Sequence, residues 1–477
     1  MMSIQRHPWR FAVAAVLATG LGYLLSTDLG TIGILVLVAP VPILLFALRC
    51  ERTLVVTLAA FVSRLIGSLG LVVAYGTVLP PLALAAQLAL VAGRFTLAVL
   101  VTRWVSRHLP AWAAVLTFAA VSITCEFLMA LNAPHGSFGA LGYSLIDTLP
   151  LLQLASIGGL AAVGFIAALV PASIAFVLHR PGEWRSTVAI AAIPLIASLI
   201  FGVWRLAQPY ESHTRVGLAA IDSLTAQSLQ GAEPAHAVTQ QYARLLERFD
   251  NEHLEAIVLP ERVFLANPSD TAAATTLQAA ADRLGVRIVA GFDDTDEAGV
   301  HRNTARVFTP SAPPYLYAKR RLVPGLELLT PGNAPLVLND RGVAICKDMD
   351  FPSMFREYGE RGARMLFVPA WDFVVDGRLH SRMAVMRGVE DGFAIARAAA
   401  TGRLTVSDAY GRVVAEAVTS KTEPVTLTAE VGLTSMTTLY SRIGDVFAWA
   451  LLCLTLVLLI WCALAASRLR TRGDTSP

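Results

Sequence analysis

Apolar runs dominate the first two-fifths of this chain, and they constrain its fold more than any other feature. Seven follow one another between Phe11 and about Gln208: Phe11–Ser26, Thr31–Leu48, Leu54–Val78, Leu82–Val101, Ala111–Leu131, Leu154–Leu178 and Thr187–Leu206. Most approach the roughly 20 residues that cross a bilayer core. The composition agrees: 55% of the 477 residues are hydrophobic and 15% charged, too few charges for an ordinary soluble domain. A mean hydropathy of +0.58 points the same way. The net charge of +3 makes no case for a nucleic-acid partner. Phe11–Ser26 has the length of a signal peptide. Six further runs follow it, however, with basic residues placed consistently, so it reads as a first span.

Those basic residues set an expected topology. Arg6 and Arg10 precede the first run, Arg49 and Arg52 follow the second, Arg103 and Arg107 the fourth, Arg180 and Arg185 the sixth. The alternate loops, Ser26–Gly30, Thr77–Pro81 and Asn132–Gln153, are nearly free of them. The positive-inside rule then puts the N-terminus in the cytoplasm and delivers Pro209 to the outer face.

From there the pattern changes. Apolar stretches shorten to strand length at Arg215–Ile221, Ala256–Leu259, Arg287–Phe292, Tyr315–Ala318, Val343–Ile345, Met365–Val368, Ala394–Ala398 and Val413–Ala417. Helical patterns near Ala235–Phe249, Thr271–Leu284 and Ser381–Asp391 alternate with them, which predicts an α/β domain with covered sheets. A last apolar run, Val446–Ala466, is followed by Arg468, Arg470 and Arg472, returning the tail to the cytoplasm. The expected plan is a seven-span region over 1–208, an external α/β domain over 209–441, and an eighth span with its tail over 442–477. No repeat, phosphate-cradling glycine loop or zinc-spaced cluster stands out.

Three segments of the α/β region carry unusual chemistry. Ile257-Val258-Leu259-Pro260-Glu261 ends an apolar strand in a carboxylate, and Tyr315-Leu316-Tyr317-Ala318-Lys319 ends one in an ammonium. Gly342-Val343-Ala344-Ile345-Cys346 ends one in a thiol. Of the five cysteines, Cys50, Cys125, Cys453 and Cys462 lie in or beside apolar runs; Cys346 stands alone in the polar region, so a reactive thiol becomes worth considering. Strand ends are where an α/β scaffold presents side chains to a cleft. A carboxylate can take the thiol proton, a thiolate attacks carbonyls, and an ammonium steadies the oxyanion. Singly, each has a plainer reading: a packed cysteine, a solvated glutamate, a wet basic face.

Glu, Lys and Cys in this order resemble the nitrilase superfamily, and with eight spans around them the chain resembles the apolipoprotein N-acyltransferase family. Pro260-Glu261 is similar to the family's Pro-Glu segment, and Lys319-Arg320-Arg321-Leu322-Val323-Pro324 to its Lys-x-x-Leu-Val-Pro. Glu327 stands where the family has a second Glu, and Cys346 matches its nucleophile. The segment His380 to Arg397, with Arg387 and Glu390, resembles the helix and strand beyond the nucleophile. Leu141-Gly142-Tyr143-Ser144 and Ile157-Gly158-Gly159 resemble an external loop, Thr438 to Asp445 the junction into the last span, and Glu126 a Glu of the fifth. Departures are Lys347-Asp348 for Tyr-Glu, Gly325-Leu326-Glu327 for Phe-Gly-Glu, Ala133-Pro134-His135 for Phe-Pro-Trp, and Ala400-Thr401-Gly402 for Asn-Thr-Gly.

The resemblance implies an external α/β nitrilase-like αββα sandwich carried by a membrane α-helical bundle of eight spans. It implies a catalytic triad of Glu261, Lys319 and Cys346, with Glu327, Asp348 and Lys347 orienting them or the substrate and Lys347 lowering the thiol pKa or altering the acyl pocket. Trp371, Phe373, Arg387 and Glu390 are candidates for the substrate path, and the loops Pro324–Asp340 and Asp372–Leu379 for lids at the bilayer. The implied reaction moves an acyl chain from a phospholipid through a Cys thioester to the N-terminal amine of a lipoprotein. It needs no cofactor and no metal. The implied setting is a monomer in the bacterial inner membrane, its catalytic domain periplasmic. A tethered amidase or hydrolase, or an N-acyltransferase for another amine, would use the same three residues. In the spans, Arg64, Arg94 and Glu126 are costly in a bilayer and call for a partner, a lipid headgroup or a transport pathway.

Overall fold

The computed structural model describes residues 8–224, 230–373 and 375–473. Arg6 lies outside the described residues, as do the side chains of Arg470 and Arg472. The chain forms two compact units. One comprises residues up to Ala133, Ser137–Leu206 and the chain from Ile443 onward; the other comprises Ala207–Arg442 together with the short segment Pro134–Gly136.

The described residues of the first unit form helices joined by turns. Among the described residues, six helices are long and apolar enough to cross a membrane: Trp9–Ser26, Pro81–Ser106, Ala111–Asn132, Ala155–His179, Pro181–Leu206 and Val446–Arg468. A seventh candidate is a pair, Thr53–Gly67 and Leu69–Tyr75, bent by 41°. Ser68 between them has non-helical dihedrals, and its hydroxyl accepts from Arg64 at 2.8 Å. The second apolar run is shorter than its composition implies. It folds as a 3₁₀ turn, Gly33–Leu37, and a separate helix, Val41–Arg49. Pro40 and Pro42 fall at that join, and a proline supplies no N–H to carry one helix through. The intramembrane charges find partners. Arg94 pairs with Glu126 at 3.2 Å and donates to the Gly139 carbonyl, while Glu126 accepts the Leu141 N–H. Arg64 is buried and stacks over the Tyr23 ring at 4.8 Å.

Among its described residues, the second unit has thirteen strands. Those of the first sheet are β1 (Ser212–Ala220), β2 (Ala256–Val258), β3 (Phe264–Ala266), β4 (Arg287–Thr295), β5 (His301–Thr309) and β6 (Ala312–Ala318). Those of the second are β7 (Leu336–Leu338), β8 (Arg341–Val343), β9 (Met365–Ala370), β10 (Ala394–Ala399), β11 (Arg403–Ser407) and β12 (Val413–Val418); β13 (Val425–Leu433) returns to the first. The strand orders are β13-β1-β2-β4-β5-β6, with β3 on β4, and β12-β11-β10-β9-β8-β7. The central pairs β1–β2, β2–β4, β8–β9 and β9–β10 are parallel.

Side-chain alternation sorts the layers. Along β4, Val289 packs between the sheets, while Ile288 and Ala290 face helices Ala232–Leu246 and Ala272–Leu284. Along β9, Met365 and Phe367 face the other sheet, while Leu366 and Val368 face helices Ser353–Glu360 and Gly377–Asp391. Strands buried on both faces thus read as unbroken apolar runs. The result is an αββα sandwich, the nitrilase-like fold.

Candidate active site

The segment after β2 crosses toward the second sheet: the Glu261 N–H donates to the carbonyl of Ala370, the last residue of β9. Gly291 of β4 permits this crossing, because a Cβ there would fall 2.4 Å from the Glu261 Cα. Lys319 follows β6 directly, held by its N–H to the Asn303 carbonyl at 2.8 Å. Cys346 begins a 3₁₀ turn, Cys346–Asp350, with a left-handed φ of +39°. For a residue with a Cβ, that conformation costs on the order of 1–3 kcal/mol, and such strain concentrates at functional turns.

These three points converge. The Lys319 ammonium, 1% exposed, donates to Glu261 at 2.6 Å and to both oxygens of Glu327 at 3.0 and 2.9 Å. Glu327 also accepts the Val323 N–H at 2.6 Å. Asn303, the third residue of β5, bridges the two carboxylates: its Nδ2 donates to Glu261 at 2.6 Å and to Glu327 at 2.8 Å. Burial opposes charge on Lys319, but Glu261, Cys346 and Glu327 outweigh it and hold the ammonium firmly protonated. Burial likewise opposes charge on Glu327, yet Lys319 keeps its pKa below the usual carboxylate range. The half-buried Cys346 thiol donates to the Trp371 carbonyl at 3.4 Å. Burial, with the Glu261 charge, pushes its pKa well up, against the pull of Lys319. Cys346 therefore rests as a thiol, with the Glu261 carboxyl group and the Lys319 ammonium acting on it.

Asp348 ties the pieces together. Its carboxylate accepts the Tyr317 hydroxyl at 2.7 Å and the N–H groups of Ile345, Arg320 and Arg321 at 3.0, 3.2 and 2.8 Å. The turn at Cys346 and the strand end at Lys319 thus share one anchor, and burial pushes its pKa up to about 6. Lys347 does not act as the sequence suggested. Its buried ammonium pairs with Asp350 and donates to His135 Nδ1 at 3.1 Å, and it is not among the charges that set the thiol pKa. Two departures from the family pattern, at positions 347 and 135, are therefore in contact.

The proposed path residues divide. Trp371 supplies the carbonyl that receives the thiol, and its half-buried ring packs against the core beneath the first sheet. Phe373 is half-buried, and its neighbour Val374 lies outside the described residues. Arg387 and Glu390 differ from that expectation: both are fully buried and pair with each other at 3.0 Å, three residues apart on one helix, so neither side chain lines an open path. The loop Pro324–Asp340 contains β7, and Leu328 on it is 92% exposed. The loop Asp372–Leu379 is pinned at one end by a buried Asp372–Arg397 pair, and the helix starting at Gly377 takes up its other end. Sequence reasoning missed Asn303, Asp372 and Arg397. Among the described residues, no group of three or more His, Cys, Asp or Glu could hold a metal ion.

Residues 5–173 match the family described as apolipoprotein N-acyltransferase N-terminal domain, and residues 237–440 match carbon-nitrogen hydrolase. An apolipoprotein N-acyltransferase of Geobacter metallireducens is 25% identical over 382 residues, spanning 70% of this chain and 71% of that one. One of Haemophilus ducreyi is 26% identical over 349 residues, 65% of this chain and 68% of that one. A deaminated glutathione amidase of Synechocystis is 27% identical over 221 residues, covering 37% of this chain and 80% of the amidase. The apolar helices and these bacterial relatives mark a membrane-embedded bacterial acyltransferase. A helical region of one kind and a hydrolase-like sandwich of the other, joined in this order, place the chain in the apolipoprotein N-acyltransferase family of the nitrilase superfamily.

Proposed function

We propose that this protein transfers a fatty acyl chain from a phospholipid to the N-terminal α-amine of a diacylglyceryl-cysteine lipoprotein through a thioester on Cys346. The observation that carries the reading is the buried contact of Glu261 with Lys319, whose charges are the strongest acting on the Cys346 thiol. Glu261 removes the thiol proton, and sulfur attacks the ester carbonyl. Lys319 and the N–H of Lys347 receive the oxyanion. The ester C–O bond breaks, Glu261 returns the proton to the departing lysophospholipid alkoxide, and a thioester remains. The lipoprotein amine then attacks the thioester and passes its proton to Glu261. The C–S bond breaks, and the sulfur is reprotonated as the amide leaves. The step from thioester to amide is downhill and needs no nucleotide. In this reading Glu327 and Asn303 hold Glu261 and Lys319 in register, and Asp348 fixes the turn. The enzyme works as a monomer in the inner membrane, its sandwich periplasmic and both termini cytoplasmic.

An alkyne-tagged phospholipid incubated with the protein places the label on Cys346, read by mass spectrometry, and a diacylated lipopeptide then discharges it into a triacylated product. A wild-type protein that stays unlabelled removes the acyl-enzyme. The similarity to an amidase favours one second reading, in which water is the acceptor. Free fatty acid in place of amide, with the lipopeptide present, decides for it.

A further inference from the structure

The catalytic reading uses the sulfur of Cys346 and the peptide after it, but it leaves the next side chain unexplained. Lys347 is 7% exposed, and its ammonium is fully engaged within the second unit. Asp350, three residues on and itself buried, neutralises its charge. Its other partner comes from far along the chain: His135 Nδ1 accepts from it at 3.1 Å, across 212 residues of sequence. The segment carrying His135 is seated on the same turn. Gly136 has a φ of +51°, and a Cβ there would lie 2.3 Å from the Asp350 carbonyl oxygen and 3.0 Å from the Phe351 ring. Two separate contacts thus press Pro134–Gly136 onto the turn that Cys346 begins.

We propose that His135 is a positioning residue for acyl transfer: by accepting a hydrogen bond from Lys347, it holds the Cys346–Lys347 peptide in the geometry that receives the oxyanion. The inference rests on Cys346 being the nucleophile. It requires a neutral imidazole, since Nδ1 accepts only while it carries no proton, with the ring hydrogen on Nε2. The surroundings favour that form. Burial lowers the His135 pKa, the Lys347 cation lowers it further, and Asp350 opposes them. Lys347 and Asp350, both on the turn, are the charged groups that face His135. A protonated His135 would set two cations side by side and leave Nδ1 no lone pair with which to accept from Lys347. Lys347 would then keep only its Asp350 partner, the turn would lose its tie to the His135 segment, and acylation would slow on the acid side.

The test is the rate of Cys346 labelling by the alkyne phospholipid on the full-length protein, followed between about pH 5 and 8. H135A slows labelling about tenfold near neutral pH, as expected for losing a hydrogen bond from a charged donor. H135Q keeps a carbonyl acceptor that does not titrate. It restores the rate to within about threefold of wild type and flattens the acid limb. Asp348 titrates in both proteins, so the difference between their profiles isolates His135. G136A lifts the segment from the turn and slows labelling as H135A does. Melting temperatures of the variants accompany each rate, and a purely structural role leaves the acid limb where it was. H135A at the wild-type rate, or H135Q with an unmoved acid limb, overturns the proposal while leaving Cys346 as nucleophile. A wild type that takes no label overturns both.

Discussion

Replacing Asn303 with alanine tests the core of the site without touching a group that bonds to substrate. The side chain is 1% exposed, and its single amide nitrogen donates to two carboxylates, Glu261 and Glu327. A hydrogen bond to a charged group is worth about 1.5–3 kcal/mol, and burial favours the upper end. The two bonds share one donor and both acceptors keep Lys319, so their joint loss comes to about 2–4 kcal/mol, not the full sum. If the whole effect falls on the acylation barrier, the rate drops about 30- to 1,000-fold. The change also has a signature in pH. Asn303 is among the groups that hold the Glu327 pKa down, so without it Glu327 takes up a proton more readily and loosens its hold on Lys319. The acid limb of the labelling rate therefore moves to higher pH in N303A. Asn303→Asp, which sets a third carboxylate beside the first two, is slower still. The assay is the time course of Cys346 acylation in detergent, with melting temperature as the check on folding. A folded N303A that labels within about threefold of wild type, with its acid limb in place, refutes the argument that the amide bridge holds the two carboxylates in register.

Lys319→Met leaves Glu261 and Glu327 buried without their shared cation. It lowers stability by about 3–5 kcal/mol, read as a fall in melting temperature, and abolishes acylation. Arg397→Leu strands the buried Asp372 carboxylate, with a similar loss of stability and slower acylation because Asp372 follows the carbonyl that receives the thiol. Asp348 gives a pH dependence of definite sign. Its pKa rises from 3.8 to about 6 on folding, so its contribution to stability is present below the lower value and lost as pH climbs through the upper one. The melting temperature should fall across that window in the wild type and lose this slope in D348N.

Much of this was legible in the sequence because the relevant signals are local. Seven of the eight apolar runs supply a candidate span, and the second, Thr31–Leu48, gives way at Pro40 and Pro42. Strands β2 and β9 announce themselves as unbroken apolar stretches because both faces are covered, and β1, β4 and β10 as apolar stretches that polar residues flank or, at Arg397, interrupt. Glu261, Lys319 and Cys346 stand out because each ends such a stretch. β5 does not, since it opens with His301, Arg302 and Asn303, polar residues that the site and its rim require. With β5 hidden, Asn303 was hidden too. Arg387 and Glu390 looked like path residues because charge usually means exposure, and a pair closed within one helix breaks that rule. The Lys347–His135 contact joins residues whose separation along the chain carries no periodic signal at all.

The pairing of β1 with β13 has a consequence for how the molecule is made. Ser212 lies opposite Leu433 and Ala220 opposite Val425, so the first strand of the sandwich finds one neighbour only after the last has left the ribosome. Until then β1 offers a free edge, during the interval when chains are prone to mispair. Nascent chains arrested before Val425 should therefore remain sensitive to protease and recruit chaperones, and release of the final strand should close the sheet in one cooperative step.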